Sequence, residues 1–357
     1  MSTPNSPIPF NRRNTYVLSL CQGLFTCAIS IDLTLTGLTG YQLAPNKAWA
    51  TLPFALITVT GALVTLFASL LLGRLGRKWG FSIGALACVL GGLVSVWSVI
   101  HHNFIGFCFG TAAIGIFQAF AQFYRLAAAD AVAPHQKSRA ISAVLAGGVI
   151  AAILGPVIAA WSKDLIPATL FAGSYLMVSI FGLATIGLLV FFYKDQEFTD
   201  PADYDESTPP RHLSKIIKQP IFMVATVNNV VAWIVMMFIM TAAPLAAVAH
   251  HHTIDDGARI IEWHLIGMYA PALFSGYLIE KMGVGRVLIM GMILNLLCGV
   301  IAIASTDLAA FHLALLFLGI GWNFIFVGGT ALLTRSYRSN ERVKTQGLAE
   351  LLRSLLR

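Results

Sequence analysis

The residue in this 357-residue chain whose chemistry stands out first is Asp32, an acid set among Ser30, Thr34 and Thr36 inside a long apolar run. A carboxylate in hydrocarbon costs a few kcal/mol or more, so it normally faces a cavity or a partner. There it could take up and release a proton, which suits coupling to a proton gradient. The plainer alternative is a polar residue bonded to a neighbouring helix or reaching the outer interface. Gln118, Gln122 and Arg125 follow with spacings of four and three, which places them on one helix face able to line a solute pathway. Asn228, Asn229, Asn295 and Asn323 are further hydrogen-bonding groups in apolar runs, for solute or for interhelical packing.

A second cluster is His250-His251-His252, followed by Asp255, Asp256, Glu262 and His264. Imidazole and carboxylate suit a divalent transition metal. Three consecutive histidines point in different directions, however, and no fixed ligand spacing occurs, so a hydrated loop is the better reading and no metal is assigned. Glu262 and His264 open an apolar run and could form an outer proton-responsive pair. No HExxH, GxxxxGK[ST], GxGxxG or GxSxG pattern occurs; no catalytic residue and no cofactor are expected, and the chain is not read as an enzyme.

The elements that must position these groups follow from composition. The chain is 57% hydrophobic and only 11% charged, against roughly 25% charged in a soluble domain. A net charge of +7 is compatible with nucleic-acid binding, but the basic residues sit in short loops between apolar runs, which excludes that class. The five cysteines all lie in such runs and read as inert buried thiols. No cleavable signal peptide is expected, because the first apolar run is long and lacks a small-residue cleavage site.

Crossing a bilayer takes about 20 apolar residues, and a helix satisfies its own backbone there. Ten such spans are predicted, at 16–40, 49–72, 80–100, 104–128, 140–161, 165–193, 220–248, 260–279, 287–305 and 308–334. With the N-terminus inside, the outer loops keep only Lys47, Lys163 and Arg259 of the 23 Lys and Arg; that asymmetry predicts a cytoplasmic N-terminus in a cytoplasmic (inner) membrane. The acidic, proline-broken stretch 194–219 reads as a cytoplasmic linker between an N-terminal six-helix half, 1–193, and a C-terminal half, 220–357, of about four helices.

The two halves repeat a turn. Leu71, Arg74 and Gly76 correspond at one constant offset to Leu278, Lys281 and Gly283, each set after an even-numbered span. With Arg77 and Lys78, the first copy resembles the loop between spans two and three of the major facilitator superfamily, and 124–139 resembles its fourth-to-fifth loop. The resemblance implies an all-α bundle of two six-helix halves and a monomeric secondary transporter that moves a small solute through the lipid bilayer by alternating access, here with protons. It further implies a cytoplasmic latch of Arg74, Gly76, Arg77 and Lys78 with Asp130, and of Glu280, Lys281 and Gly283 in the second copy. The family's acid in the first copy is Gly73 here, so that latch lacks a carboxylate of its own.

Gly147, Gly148, Gly155 and Pro156 in span five resemble a pattern commoner in exporters of the family, and favour export; small residues that let helices approach look the same. Family members have 12 spans. After Gly347 the tail is short, basic and unable to cross a membrane, so the sequence reads as C-terminally truncated. A non-transporting or sensing relative is therefore the alternative function. Scattered neutral polar groups favour a neutral, amphipathic or weakly cationic solute; Arg125 is the one near candidate for binding an anion.

Overall fold

The computed structural model describes residues 12–167, 169–195 and 209–355. Among the described residues the chain is all helical, without strands. The helices are α1 (Arg12–Leu43), α2 (Leu52–Ile100), α3 (Phe104–Ala121), α4 (Tyr124–Asp130), α5 (Lys137–Ser162), α6 (Ala172–Phe192), α7 (Leu213–Ile217), α8 (Pro220–Ala249), α9 (Ile254–Tyr269), α10 (Ser275–Met282), α11 (Val284–Ala304), α12 (Leu308–Leu333) and α13 (Arg342–Leu355). Among the described residues eight stretches are long and apolar enough to cross a membrane. The ten predicted spans map onto them because α2 holds two, and because the span predicted at 260–279 is divided. Pro271 and a 3-10 turn at Ala270–Leu273 separate α9 from α10. A proline lacks the N–H that would continue the ladder, and the periodicity of the apolar pattern does not report that loss.

The repeated turn has a backbone cause. Gly76 (φ 79°, ψ 167°) reverses the chain inside α2, and Gly283 (φ 86°, ψ 149°) does so between α10 and α11. Both lie in or beside a region that is essentially reserved for glycine. The sequence loop lacks an acid at Gly73, yet the Asp195 carboxylate, just beyond α6, accepts a hydrogen bond from the Lys78 N–H at 3.0 Å and caps the helix that restarts there. Elsewhere Asn103 caps α3 through the Gly106 N–H at 2.8 Å, and Thr253 with Asp256 forms a capping box at the start of α9.

Close helix approach fixes the packing. A Cβ built on Gly147 would lie 1.9 Å from the Ser19 carbonyl oxygen, and one on Gly155 would lie 2.4 Å from the Ser30 Cβ, so these α5 glycines let α5 rest on α1. One apolar core is drawn chiefly from α1–α6, and two more from α8–α12, the larger of which takes in Ala129, Ile141 and Leu145. Large apolar side chains cover the outside, with Ile303 89% exposed and Phe191 76% exposed. A surface of that kind needs lipid as its solvent.

Candidate functional site

The helix ends where α1 and α8 begin, α6 and α12 end, and the Gly76 turn sits gather on one side, called here the basic face. The Asn14 amide donates to the Lys194 carbonyl at 2.7 Å, Lys137 Nζ to the Thr334 carbonyl at 3.2 Å, and the Gln219 amide to the Ser336 carbonyl at 3.1 Å. Here the N-terminal set (α1–α6) meets the C-terminal set (α8–α13). On one flank the Ser69 hydroxyl donates to the Val343 carbonyl at 2.6 Å. On the other, Ser142 bonds to the Ala272 carbonyl and lies 3.1 Å from Ser275 Oγ, while the Gly276 N–H donates to Ser142 Oγ at 3.1 Å. The seam is shut at this face.

Two polar layers lie along it. In the outer layer Arg77 pairs with Asp130 at 3.0 Å and also donates to Gln346 Oε1 at 2.9 Å. The Gln346 amide donates to Asp130 at 2.9 Å and to the Tyr337 hydroxyl at 2.6 Å, and Tyr337 donates to Asp130 at 3.2 Å. Arg77 is thus the residue of the predicted latch that meets Asp130. Lys78 contributes its backbone and lays its ammonium over Trp79. In the second copy, Glu280 lies within electrostatic reach of Arg139 and His135. Beside this layer Arg211 grips Glu341 at 2.6 Å and 2.8 Å and holds its carboxyl down at about 2, well below the ordinary value.

The inner layer is about 7 Å deeper, five helical residues from Asp130. Helix α3 ends at Ala121 and α4 begins at Tyr124, with Gln122 and Phe123 between them still near helical backbone angles, and Arg125 faces the seam. Arg125 Nη2 meets Glu350 Oε1 at 2.5 Å, Nη1 donates to the Gln122 carbonyl at 2.6 Å, and Nε to Thr330 Oγ1 at 3.4 Å. Glu350 also holds Arg353 at 2.5 Å and 3.0 Å, and Arg353 donates to Gln122 Oε1 at 2.9 Å. The wall is aromatic. Trp322 stacks on Phe326 at 4.6 Å, Trp233 stands edge-on to Trp322 at 5.3 Å, Arg125 lies over Phe326 at 4.5 Å, and Arg353 lies over Trp233 at 5.3 Å.

Gln118, Gln122 and Arg125 therefore do share a face; Gln118 and Arg125 are buried, and all three look toward this seam. Asn323 is buried as well, its amide bonded to the Met268 carbonyl at 2.9 Å, and Asn229 faces Gly329 on α12. Asn228 turns back to its own helix and bonds to the Val224 carbonyl at 2.8 Å. His264 is buried and bonds to the Leu315 carbonyl at 3.1 Å, whereas Glu262 is exposed. The expected Glu262–His264 pair does not form, because residues two apart on a helix point to different sides.

The His252 ring reaches the Thr306 carbonyl at 2.8 Å and packs against Phe311, so it serves the joint between α8 and α12. The side chain of Asp255, and residues 196–208 of the acidic linker, lie outside the described residues. Asp32 is 1% exposed, and neither carboxylate oxygen makes a hydrogen bond of good geometry. Thr36, Tyr175 and Cys88 are near enough to act on it electrostatically, which sets it among α1, α2 and α6 rather than on the seam.

The inner layer's Glu350 and Arg353 were not singled out from sequence, because the last residues read as a short basic tail. They lie on α13, whose Gln346, Glu350 and Arg353 are buried against the bundle at spacings of four and three. That amphipathic spacing was the available signal.

The family model of the Major Facilitator Superfamily matches residues 18–357. The chain is 37% identical over 342 residues to the riboflavin transporter RfnT of Brucella anthropi, covering 96% of this chain and 85% of that one. It is 28% identical over 375 residues to an MFS-type transporter of Bacillus subtilis, YdeG, covering 99% and 85%. Among solved structures it resembles a bacterial homologue of the iron transporter ferroportin in an outward-facing state, with TM-score 0.75, 14% identity and coverage of 96% and 90%. It also resembles the proton:xylose symporter XylE, with TM-score 0.73, 14% identity and coverage of 97% and 86%. With these matches along nearly its whole length, and a helical bundle of this kind, the chain belongs to the major facilitator superfamily of membrane transporters.

Proposed function

We propose that this transporter carries a flat heteroaromatic solute of the riboflavin kind by alternating access, with its basic face toward the cytoplasm and Asp32 as the proton-coupling group. The observation that carries the substrate reading is the Trp322–Phe326 stack with Trp233 edge-on, set beside Gln122 and Arg125 at the seam. Stacked indole and phenyl rings favour a planar ring system, and amide and guanidinium groups match carbonyls and N–H groups on its rim. The 37% identity to a riboflavin transporter supports the same class. Proton coupling rests on Asp32, a buried acid among hydroxyls with no counter-cation beside it among the described residues. The proposed direction is export, from the pattern of α5, although Gly147 and Gly155 are equally accounted for by their packing on α1.

The full chain, reconstituted in vesicles, tests this by riboflavin flux under pH gradients of either sense. The expected result is flux driven by a gradient of one sense and lost in Asp32→Asn, with unlabelled-for-labelled riboflavin exchange retained. Absence of riboflavin flux in both senses overturns the substrate reading. Gradient-driven flux undiminished in Asp32→Asn overturns the coupling reading.

A further inference from the structure

The inner layer has an unequal charge balance. Arg125, 3% exposed, and Arg353, 2% exposed, share the single carboxylate of Glu350, 2% exposed, and the charged groups acting on Arg125 are Glu350 and Arg353. Arg353 Nη1 is buried and makes no hydrogen bond. Two cations over one anion leave a deep site one negative charge short.

The division of these groups between the helix sets matters more than their sum. Arg77–Asp130 joins two residues of the N-terminal set, and Arg353–Glu350 joins two residues of α13. Arg211–Glu341 joins the segment ahead of α8 to the segment ahead of α13. Arg125–Glu350 joins the N-terminal set to the C-terminal set in the buried interior. Arg139 and Glu280 also lie within electrostatic reach of each other across the seam, but both are exposed. When the sets part at the basic face, as the alternating-access reading above requires, Glu350 and Arg353 leave together on α13 as a neutral pair. Arg125 stays behind with neutral partners, the carbonyl and side chain of Gln122 at the junction of α3 and α4. A guanidinium left deep in the seam without a counter-ion is strongly unfavourable unless something supplies the charge.

We propose that the solute does so: the site takes a planar aromatic compound bearing an acidic group, and Glu350 is that group's internal stand-in. While the basic face is shut, Glu350 occupies Arg125. When it opens, the solute's phosphate or carboxylate takes the vacated place, with its ring against Trp322 and Phe326. This exchange rests on the alternating-access reading and narrows the substrate class; it does not require the solute to be a flavin.

The test is calorimetric titration of the purified 357-residue chain in detergent with three probes: riboflavin, flavin mononucleotide and phenyl phosphate. A charge-assisted bond to a buried guanidinium predicts that flavin mononucleotide binds about tenfold or more tightly than riboflavin. In Glu350→Gln, where the stand-in is gone, that ratio rises. In Arg125→Gln it collapses towards one, and Arg125→Lys restores part of it, which separates loss of charge from loss of fold. Equal binding of the two flavins by the wild type, or an unchanged ratio in Arg125→Gln, overturns the anion site while leaving the flavin reading intact. Arg125-dependent binding of phenyl phosphate with no binding of either flavin upholds the anion site and overturns the flavin reading. Binding of none of the three overturns both.

Discussion

Replacing Gly76 by alanine places a Cβ on a backbone at φ 79°, ψ 167°, and the same change at Gly283 places one at φ 86°, ψ 149°. Occupying such a conformation with an L-residue costs about 1–3 kcal/mol. The two sites share that strain but differ in surroundings. A Cβ on Gly283 meets nothing within 4 Å, whereas one on Gly76 lies 2.9 Å from Asp195 Oδ2. Asp195 would swing away, and the Lys78 N–H would lose its cap, which adds about 1 kcal/mol. Thermal unfolding in detergent, followed by intrinsic tryptophan fluorescence, should therefore rank wild type above Gly283→Ala, and Gly283→Ala above Gly76→Ala. Asp195→Ala alone should cost about 1 kcal/mol, and the Gly76→Ala/Asp195→Ala double variant should lose less than the sum, because both remove one cap. Strict additivity of the double variant, or equal losses at the two glycines, would refute the assignment of Asp195 as the missing acid of the first turn.

Three other outcomes can be checked. Gly147→Ala should markedly lower the unfolding temperature, by overpacking worth about 1–3 kcal/mol against the Ser19 carbonyl, while Gly187→Ala on α6, with nothing within 4 Å, should leave it near wild type. The Glu341 carboxyl is held at about 2 by Arg211, below the roughly 4.3 of an unfolded chain. Its contribution is therefore full above the unfolded value and is lost as pH falls through the folded one; unfolding scans from pH 5 to pH 2 should show a steeper acid loss in wild type than in Glu341→Gln. A cysteine placed at Ser69, buried under Val343 across the seam, should react faster with a water-soluble maleimide when Glu350→Gln is present. Loss of about 2 kcal/mol from the cross-seam pair corresponds to roughly thirtyfold more open state, and Arg77→Gln, whose ion pair lies within one set, should have a smaller effect.

Much of the bundle is legible in the residues because lipid imposes a coarse rule. A long uncharged run must be a helix, so the ends of α1, α8, α11 and α12 fall within a few residues of the predicted spans, while α6 starts at Ala172, seven residues after its predicted start. The 76/283 turn was readable because glycine tolerance is a local property of the backbone. The shared face of Gln118, Gln122 and Arg125 was readable because a helix repeats every 3.6 residues. What the chain hides is long-range. Nothing near Gly73 announces that its missing acid arrives from Asp195. Glu350 and Arg353 gain their meaning only when α13 is laid against α2 and α8, which brings them to Arg125 and Gln122. The spacing of Glu262 and His264 hides a burial contrast, since hydropathy averages over both sides of a helix.

The location of the charged contacts also explains why a closed basic face can be sturdy and yet able to open. Parting the sets leaves Arg77–Asp130, Arg353–Glu350 and Arg211–Glu341 each on one side of the seam, so none of those ions has to be rehydrated alone. The outer layer's cross-seam contacts run through neutral groups, Gln346 and Tyr337, whose loss is met by water at a face that opens to water. Arg125–Glu350 is different because it is deeper, fully buried and walled by aromatic rings that exclude water from one side. Its rupture is the step that water alone compensates poorly. A transporter that resists opening when empty and opens when loaded needs one such contact, placed where the solute can replace it, and Arg125 lies against the aromatic wall proposed to hold the solute ring.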